Sequence, residues 1–187
     1  TPLPTAIPTP LPTGWSQTNP MPAGSTILTD DGLGITVVSV DADAWPEVQA
    51  AYSYNDPPKS GHNFRTIEVR IQVVDGYYTA PNDVSGYNFK AVGSSAVEFT
   101  ASACGSVTSR LSETTMYYGA VIQGKLCVEL PEDETDLLIY YQGSYGSAKH
   151  WLQASQPDTA EALRDVSTTV VTDSSVGIGT QRTNPMP

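Results

Sequence analysis

Phe64–Val74 reads Phe-Arg-Thr-Ile-Glu-Val-Arg-Ile-Gln-Val-Val, and its alternation decides the fold. In an extended chain Ile67, Val69, Ile71 and Val73 fall on one side, and Glu68, Arg70 and Gln72 on the other. A period of two over this length describes a strand with one buried and one wetted face. Asp75-Gly76 ends it, and Tyr77 to Gly86 reads as a loop. Tyr87–Val92 and Ala96–Thr100 then read as a strand pair across Gly93-Ser94-Ser95.

Further on, Gly119 to Pro131 reads GAVIQGKLCVELP. Leu126, Val128 and Leu130 point one way, which sends Cys127 and Glu129 to the opposite face. Leu137–Tyr141 and Lys149–Ala154 supply two more core strands, separated by Gly143-Ser144-Tyr145-Gly146. Upstream of Phe64, Asn55-Asp56-Pro57-Pro58 breaks the chain, and Ala44-Trp45-Pro46-Glu47 can start a helical turn with Pro46 tolerated early. Ile35–Val40 is β-prone, Asp30-Asp31-Gly32 signals a turn, and the first strand falls at about Ser25–Leu28. Seven or eight short strands at these intervals predict an all-β antiparallel sandwich over residues 23–154.

Composition agrees. Gly and Pro contribute 15 residues each, so turns and extended segments should outnumber helices. Ten tyrosines against three phenylalanines favour strands with polar-tipped aromatic faces. The net charge of −11, without any Lys/Arg cluster, opposes binding to nucleic acid or to anionic lipid. No stretch has the length and apolarity of a membrane span, so no membrane insertion is expected. Cys104 and Cys127 are the only thiols, and their spacing fits no zinc pattern. The expectation is one intrachain disulfide rather than two free thiols, clipping the outer side of the sheet and implying an oxidising, extracellular or cell-surface location.

The flanks carry a second signal. Thr-Asn-Pro-Met-Pro occurs at Thr18–Pro22 and again at Thr183–Pro187. Ahead of the first copy, Thr1–Thr13 reads TPLPTAIPTPLPT, whose prolines favour polyproline II. Residues 1–22 therefore read as an extended Thr/Pro-rich tail or linker. Thr1, Thr5, Thr9 and Thr13 sit beside prolines and are candidate O-glycosylation sites on a stalk, the alternative being a bare linker. Residues 155–187 read as a short helix capped by Asp158, an extra β-prone strand at Val166–Thr172, and a C-terminal linker. The opening Thr1-Pro2-Leu3-Pro4 reads as a mature start, with any export signal removed.

Asn19-Pro20-Met21-Pro22-Ala23-Gly24, the Gly32–Val40 strand, Ile67–Val73, Tyr87-Asn88-Phe89 and Gly124-Lys125-Leu126-Cys127-Val128-Glu129-Leu130-Pro131 occur in that order. This arrangement resembles a family of immunoglobulin-like β-sandwich domains of unknown function found in secreted bacterial lipoproteins and surface proteins. The resemblance covers about Asn19–Ala154 and implies an extracytoplasmic, non-enzymatic module with no active site or cofactor to transfer. The chain departs from that pattern after Ala154.

Neither His62 nor His150 sits in a Ser/His/Asp order or a zinc-protease spacing, and each reads as a surface or strand residue. Asp41-x-Asp43 and the run Glu132-Asp133-Glu134 with Asp136 read as solvated acidic loops rather than Ca²⁺ ligands. Trp15, Trp45 and Trp151, with the Tyr77-Tyr78, Tyr117-Tyr118 and Tyr140-Tyr141 pairs, are candidates for a sugar platform, although places at strand ends and in the core account for most of them without any ligand.

The expected function is a non-enzymatic extracellular subunit whose partners are copies of itself, joined through terminal segments into a filament or array. The residues expected to carry assembly are Leu3, Ile7 and Leu11 in the tail, with Asn19, Pro20, Met21 and Pro22 in the first motif copy. At the other end they are Val166 and Val170 in the spare strand, with Asn184, Pro185, Met186 and Pro187 in the second copy. The alternative is a stalked module of a lipoprotein that binds glycan or peptide. A third reading makes the chain one unit of a longer tandem protein, its last motif opening the next domain.

Overall fold

A computed structural model describes residues 11–74 and 82–154. In chain order its strands are Thr26–Leu28 (β1), Leu33–Asp41 (β2), His62–Val73 (β3), Asn82–Val84 (β4), Phe89–Val92 (β5), Glu98–Thr100 (β6), Thr114–Met116 (β7), Val121–Pro131 (β8), Leu138–Tyr141 (β9) and His150–Gln153 (β10). One helix, α1, spans Trp45–Ala51 with Pro46 in its first turn. The strands form an antiparallel sheet ordered β1-β2-β3-β8, a second ordered β10-β9-β5-β6, and a small ribbon β4-β7. This is the antiparallel β-sandwich that the alternation predicted.

β3 lies at the centre of the first sheet because its apolar side has partners on both flanks. Ile71 is in register with Ile35 on β2 and Ile122 on β8, and Val69 with Val37 and Gly124. Ile67, Val69, Ile71 and Val73 are all buried, and they share one core with Phe89, Ala91, Ile139 and Leu152 of the opposing sheet. Each large aliphatic side chain so enclosed contributes about 1.5–3 kcal/mol.

Two sequence readings are corrected here. Tyr77 to Gly86 is not all loop, since β4 lies within it and pairs with β7, a strand that the sequence did not announce. Each is only three residues long, too short for periodicity to register, and the pairing partner lies far off in sequence. Tyr87 and Asn88 belong to one turn of 3₁₀ helix, Gly86–Asn88, rather than to β5. There Ser85 Oγ accepts from the Tyr87 N–H, and the Ser85 N–H donates to Asn88 Oδ1 at 2.8 Å, so the side chains hold a turn against the local β propensity.

Cys104 and Cys127 are disulfide-bonded, with Cα atoms 5.7 Å apart. Cys127 faces away from the main core, as the alternation of β8 required, and joins a second buried cluster with Ala44, Val48, Phe64 and Cys104. α1 covers this outer face. Lys125 on β8 pairs with Glu47 of the helix at 2.6 Å, and Asn55 donates to the carbonyls of both Val48 and Ser106. The segment from Ala101 to Leu111 thereby runs along the open side of β8, with backbone hydrogen bonds to Cys127 and Lys125. β8 is therefore not a naked edge.

The acidic loop after β8 departs from its solvated reading. Glu134 is only 3% exposed and accepts from the Ser95 N–H at 2.7 Å and the Ser94 hydroxyl at 3.1 Å. Its aliphatic stem lies over Gly93, where any β-carbon would collide with the carboxylate. The Ser95 backbone hydrogen bond leads the effects that hold its carboxyl below the ordinary 4.5, with the serine hydroxyls and Arg65 assisting against the opposing effect of burial. A depressed folded pKa stabilises the fold above the unfolded value, and that contribution is lost as pH falls through the folded one. Urea midpoints should therefore decline below about pH 4.5 in the native chain. Glu134→Gln should cost about 1–3 kcal/mol at neutral pH and flatten that acid limb, and an unchanged acid limb would remove Glu134 from this role.

Candidate assembly site at the β10 edge

β10 is the outer strand of its sheet, and the residues that cover it come from the first terminal motif. The Met21 N–H donates to the Trp151 carbonyl at 2.8 Å, and the Met21 carbonyl accepts from the Gln153 N–H at 2.8 Å. Met21 and Leu152 thus form a parallel bridge. Further along, the Trp151 N–H donates to the Gly14 carbonyl at 2.6 Å. Between these anchors, residues 14–19 fold into a closed loop in which the Gly14 N–H donates to the Asn19 carbonyl at 2.7 Å.

The residue types explain why this segment is a cap and not another interior strand. In an extended segment the N–H and C=O of one residue point to the same side. Met21 directs both at β10, while Pro20 and Pro22 on either side have no N–H to present outward. Pro-Met-Pro pairs inward and offers no donor outward, so the sheet ends there. The Met21 and Trp15 side chains, both half-buried, lie against the main core. After Pro22 the chain crosses to the other sheet, where the Gly24 N–H bonds the Val37 carbonyl and β1 begins.

Gly14 is fixed by two constraints. Its φ is +85°, and a β-carbon there would collide with Ile27 Cδ1, with the Trp151 carbonyl oxygen also close. Beside it, the Trp15 ring meets His150 edge-on, centroids 4.8 Å apart. His150 is wholly buried, its Nε2 2.8 Å from Asp30 Oδ1, so it is a strand residue but not a surface one. Tyr141 on β9 donates to Asp31 Oδ2 at 2.8 Å, and burial, followed by the Asp31 charge, pushes its phenol well above the ordinary range. The Asp30-Asp31 turn is therefore tied to the second sheet at two points, close to the capped edge.

The predicted assembly residues, and the threonines predicted as O-glycosylation sites, fall in three groups. Met21 and Pro20 are half-buried against the domain, while Asn19 and Pro22 are exposed on the cap. Leu11 is exposed, as is Thr13, whose hydroxyl lies 3.5 Å from Asn19 Nδ2. Leu3, Ile7, Thr1, Thr5, Thr9, Val166, Val170, Asn184, Pro185, Met186 and Pro187 lie outside the described residues. The signal for the cap was present in sequence as two prolines one residue apart, but nothing there named the strand they would cover.

The tryptophans and tyrosines do not converge on one platform. Trp45 contacts Phe64 beside the disulfide, Trp15 contacts His150, and Trp151 contacts Tyr140 on the outer face of the second sheet. Tyr77 and Tyr78 lie outside the described residues. Tyr140 and Trp151 are themselves largely covered, with the Lys149 ammonium 4.0 Å from the Tyr140 ring centroid. Next to them lies a shallow groove of about 280 Å³ lined by Tyr87, Lys90, Tyr140, Gln142 and Tyr145, in which Tyr87 and Tyr145 are exposed. Among the described residues no group of three or more His, Cys, Asp or Glu is placed to hold a metal ion.

No family model and no curated protein matches the chain. Solved structures do. The chain is similar to a "putative lipoprotein", ycdA, of Bacillus subtilis subsp. subtilis str. 168, at TM-score 0.52 and 12% identity over 76% of this chain, and spans 41% of that protein's length. It is also similar to the yjhA protein of Bacillus subtilis, at TM-score 0.50 and 11% identity, over 72% of this chain and 99% of that one. The secreted protein MPT63 of Mycobacterium tuberculosis aligns at TM-score 0.49 and 12% identity, over 72% of this chain and 97% of that one. At such identities the likeness is one of fold.

Proposed function

We propose that this chain is a non-enzymatic structural protein of the cell exterior, assembled with copies of itself through its terminal segments into a filament or surface array. The observation that carries the reading is the capped β10 edge. A short motif present twice in the chain has, at its first position, the properties of a detachable edge strand: inward pairing through one residue, an apolar anchor, and an outer side closed by proline. The disulfide fits an oxidising compartment, and no helix among the described residues is long and apolar enough to cross a membrane. In this reading the chain belongs with the immunoglobulin-like domains of secreted and lipoprotein-type surface proteins that its sequence resembles.

Deleting Thr1–Thr13 tests the tail. The expected outcome is loss of sedimenting assemblies, with a far-ultraviolet β signature and a cooperative melt retained. Assemblies of unchanged length from the shortened chain would refute a role for the tail.

The groove beside Tyr87 and Tyr145 favours a second reading, a module that binds glycan or peptide. Two exposed rings, a lysine and a glutamine side chain around one concavity are a fair match to a sugar's apolar face and hydroxyls. Saturable binding to a glycan array by a monomeric protein, lost in Tyr145→Ala, would favour that reading over assembly.

A further inference from the structure

The geometry points to the β10 edge of a second copy as the binding site for Thr183–Pro187. This rests on the assembly reading above and adds the receptor, the ligand segment and the register. The first copy displays the complement that any Thr-Asn-Pro-Met-Pro segment finds: the Trp151 carbonyl and the Gln153 N–H, both 2.8 Å from their Met21 partners, and a half-buried seat for the methionine. The second copy repeats those five residues without change, so Met186 has the same donor, acceptor and apolar side chain to offer, and Pro185 and Pro187 likewise lack an N–H.

Addition outside the first copy is disfavoured by that same chemistry. Pro20 and Pro22 present no N–H, so a further strand finds no donors along the covered edge. The second copy therefore binds by replacing the first at the Met21 position, and what it does not repeat is the contact of Gly14 and Trp15 with Trp151 and His150, since Gly179-Thr180-Gln181-Arg182 precede Thr183. On its own domain the second copy is at a disadvantage, because Pro22 lies just before β1 whereas Thr183 must close a much longer loop from β10. Residues 155–187 fully extended reach about 100 Å, ample to meet a neighbouring domain. The contact is heterologous, so it propagates from copy to copy unless its rotation closes a ring.

Two full-length variants test this when mixed, one carrying Gln153→Cys and the other Pro187→Cys. The parallel bridge places Pro22 beside Gln153, and register-matched replacement puts the thiol introduced at the last residue of one chain beside the thiol introduced on β10 of another. The expected result is a disulfide-linked heterodimer on a non-reducing gel. Adding Met186→Asp to the Pro187→Cys chain should reduce it by about tenfold, as removal of a buried apolar anchor requires. Electron microscopy of the same mixtures separates the two levels of the account. Filaments without the crosslink, or a crosslink indifferent to Met186→Asp, overturn the exchange and leave terminal assembly standing. Absence of both filaments and crosslink overturns the exchange and terminal assembly together.

Discussion

Cys127→Ala should lower the stability of the sandwich by about 3 kcal/mol, which for a domain of this size means about 10 °C in melting temperature. The bond closes a loop between residues 23 apart in sequence, and chain entropy alone supplies that magnitude. Its place in the fold says where the damage falls. The loop carrying Cys104 is the cover of the β8 edge, and the same cluster holds Phe64 and α1. The variant should therefore lose hydrogen-exchange protection first in residues 101–111 and in α1, while β3 and β9 stay protected. Reductant should lower the wild-type melting temperature by a similar amount and leave that of the variant unchanged. A reductant effect of equal size in both proteins would place the redox sensitivity elsewhere.

Gly14→Ala should cost about 2–3 kcal/mol from two sources, a non-glycine residue at φ +85° and a methyl group driven into Ile27. Partial relief comes from lifting residues 14–21 off β10, which breaks the hydrogen bonds to Trp151 and Gln153. The two routes differ in what they expose. A variant that stays capped unfolds earlier but associates no more than the native chain. One that lifts its cap leaves the edge of β10 bare, and should associate more strongly as well as melt earlier. The account predicts the second outcome, measured as a rise in weight-average mass by sedimentation together with faster amide exchange at Trp151 and Gln153. A destabilised protein with native exchange at those two amides would show that the cap is not the part that yields.

The centre of the fold was legible because its signals are local. The alternation of Ile67 to Val73 gave β3 and its buried side, and the alternation of Leu126, Val128 and Leu130 put Cys127 on the outer face where the disulfide lies. The helical start at Ala44-Trp45-Pro46 and the turn at Gly143–Gly146 likewise follow from residues in place. What the sequence withheld depends on distant partners. β4 and β7 exist only by pairing with one another, and Glu134 turns inward because Ser94 and Ser95 wait for it across Gly93. His150 is buried because the Asp30 turn and Trp15 cover it. The candidate site is the clearest case. Residues 1–22 read in sequence as an extended tail or linker; the prolines on both sides of Met21 keep it out of a sheet interior, but a single residue between two prolines is enough to finish an edge. Which edge it finishes is a property of the folded sandwich.

The central claim is that copies of this chain join through their ends. Negative-stain electron microscopy of the purified native chain, with sedimentation velocity in parallel, tests it most directly. The account predicts filaments or chains of beads whose mass rises with concentration. A single monomeric species, unchanged over that range and featureless on the grid, would contradict it.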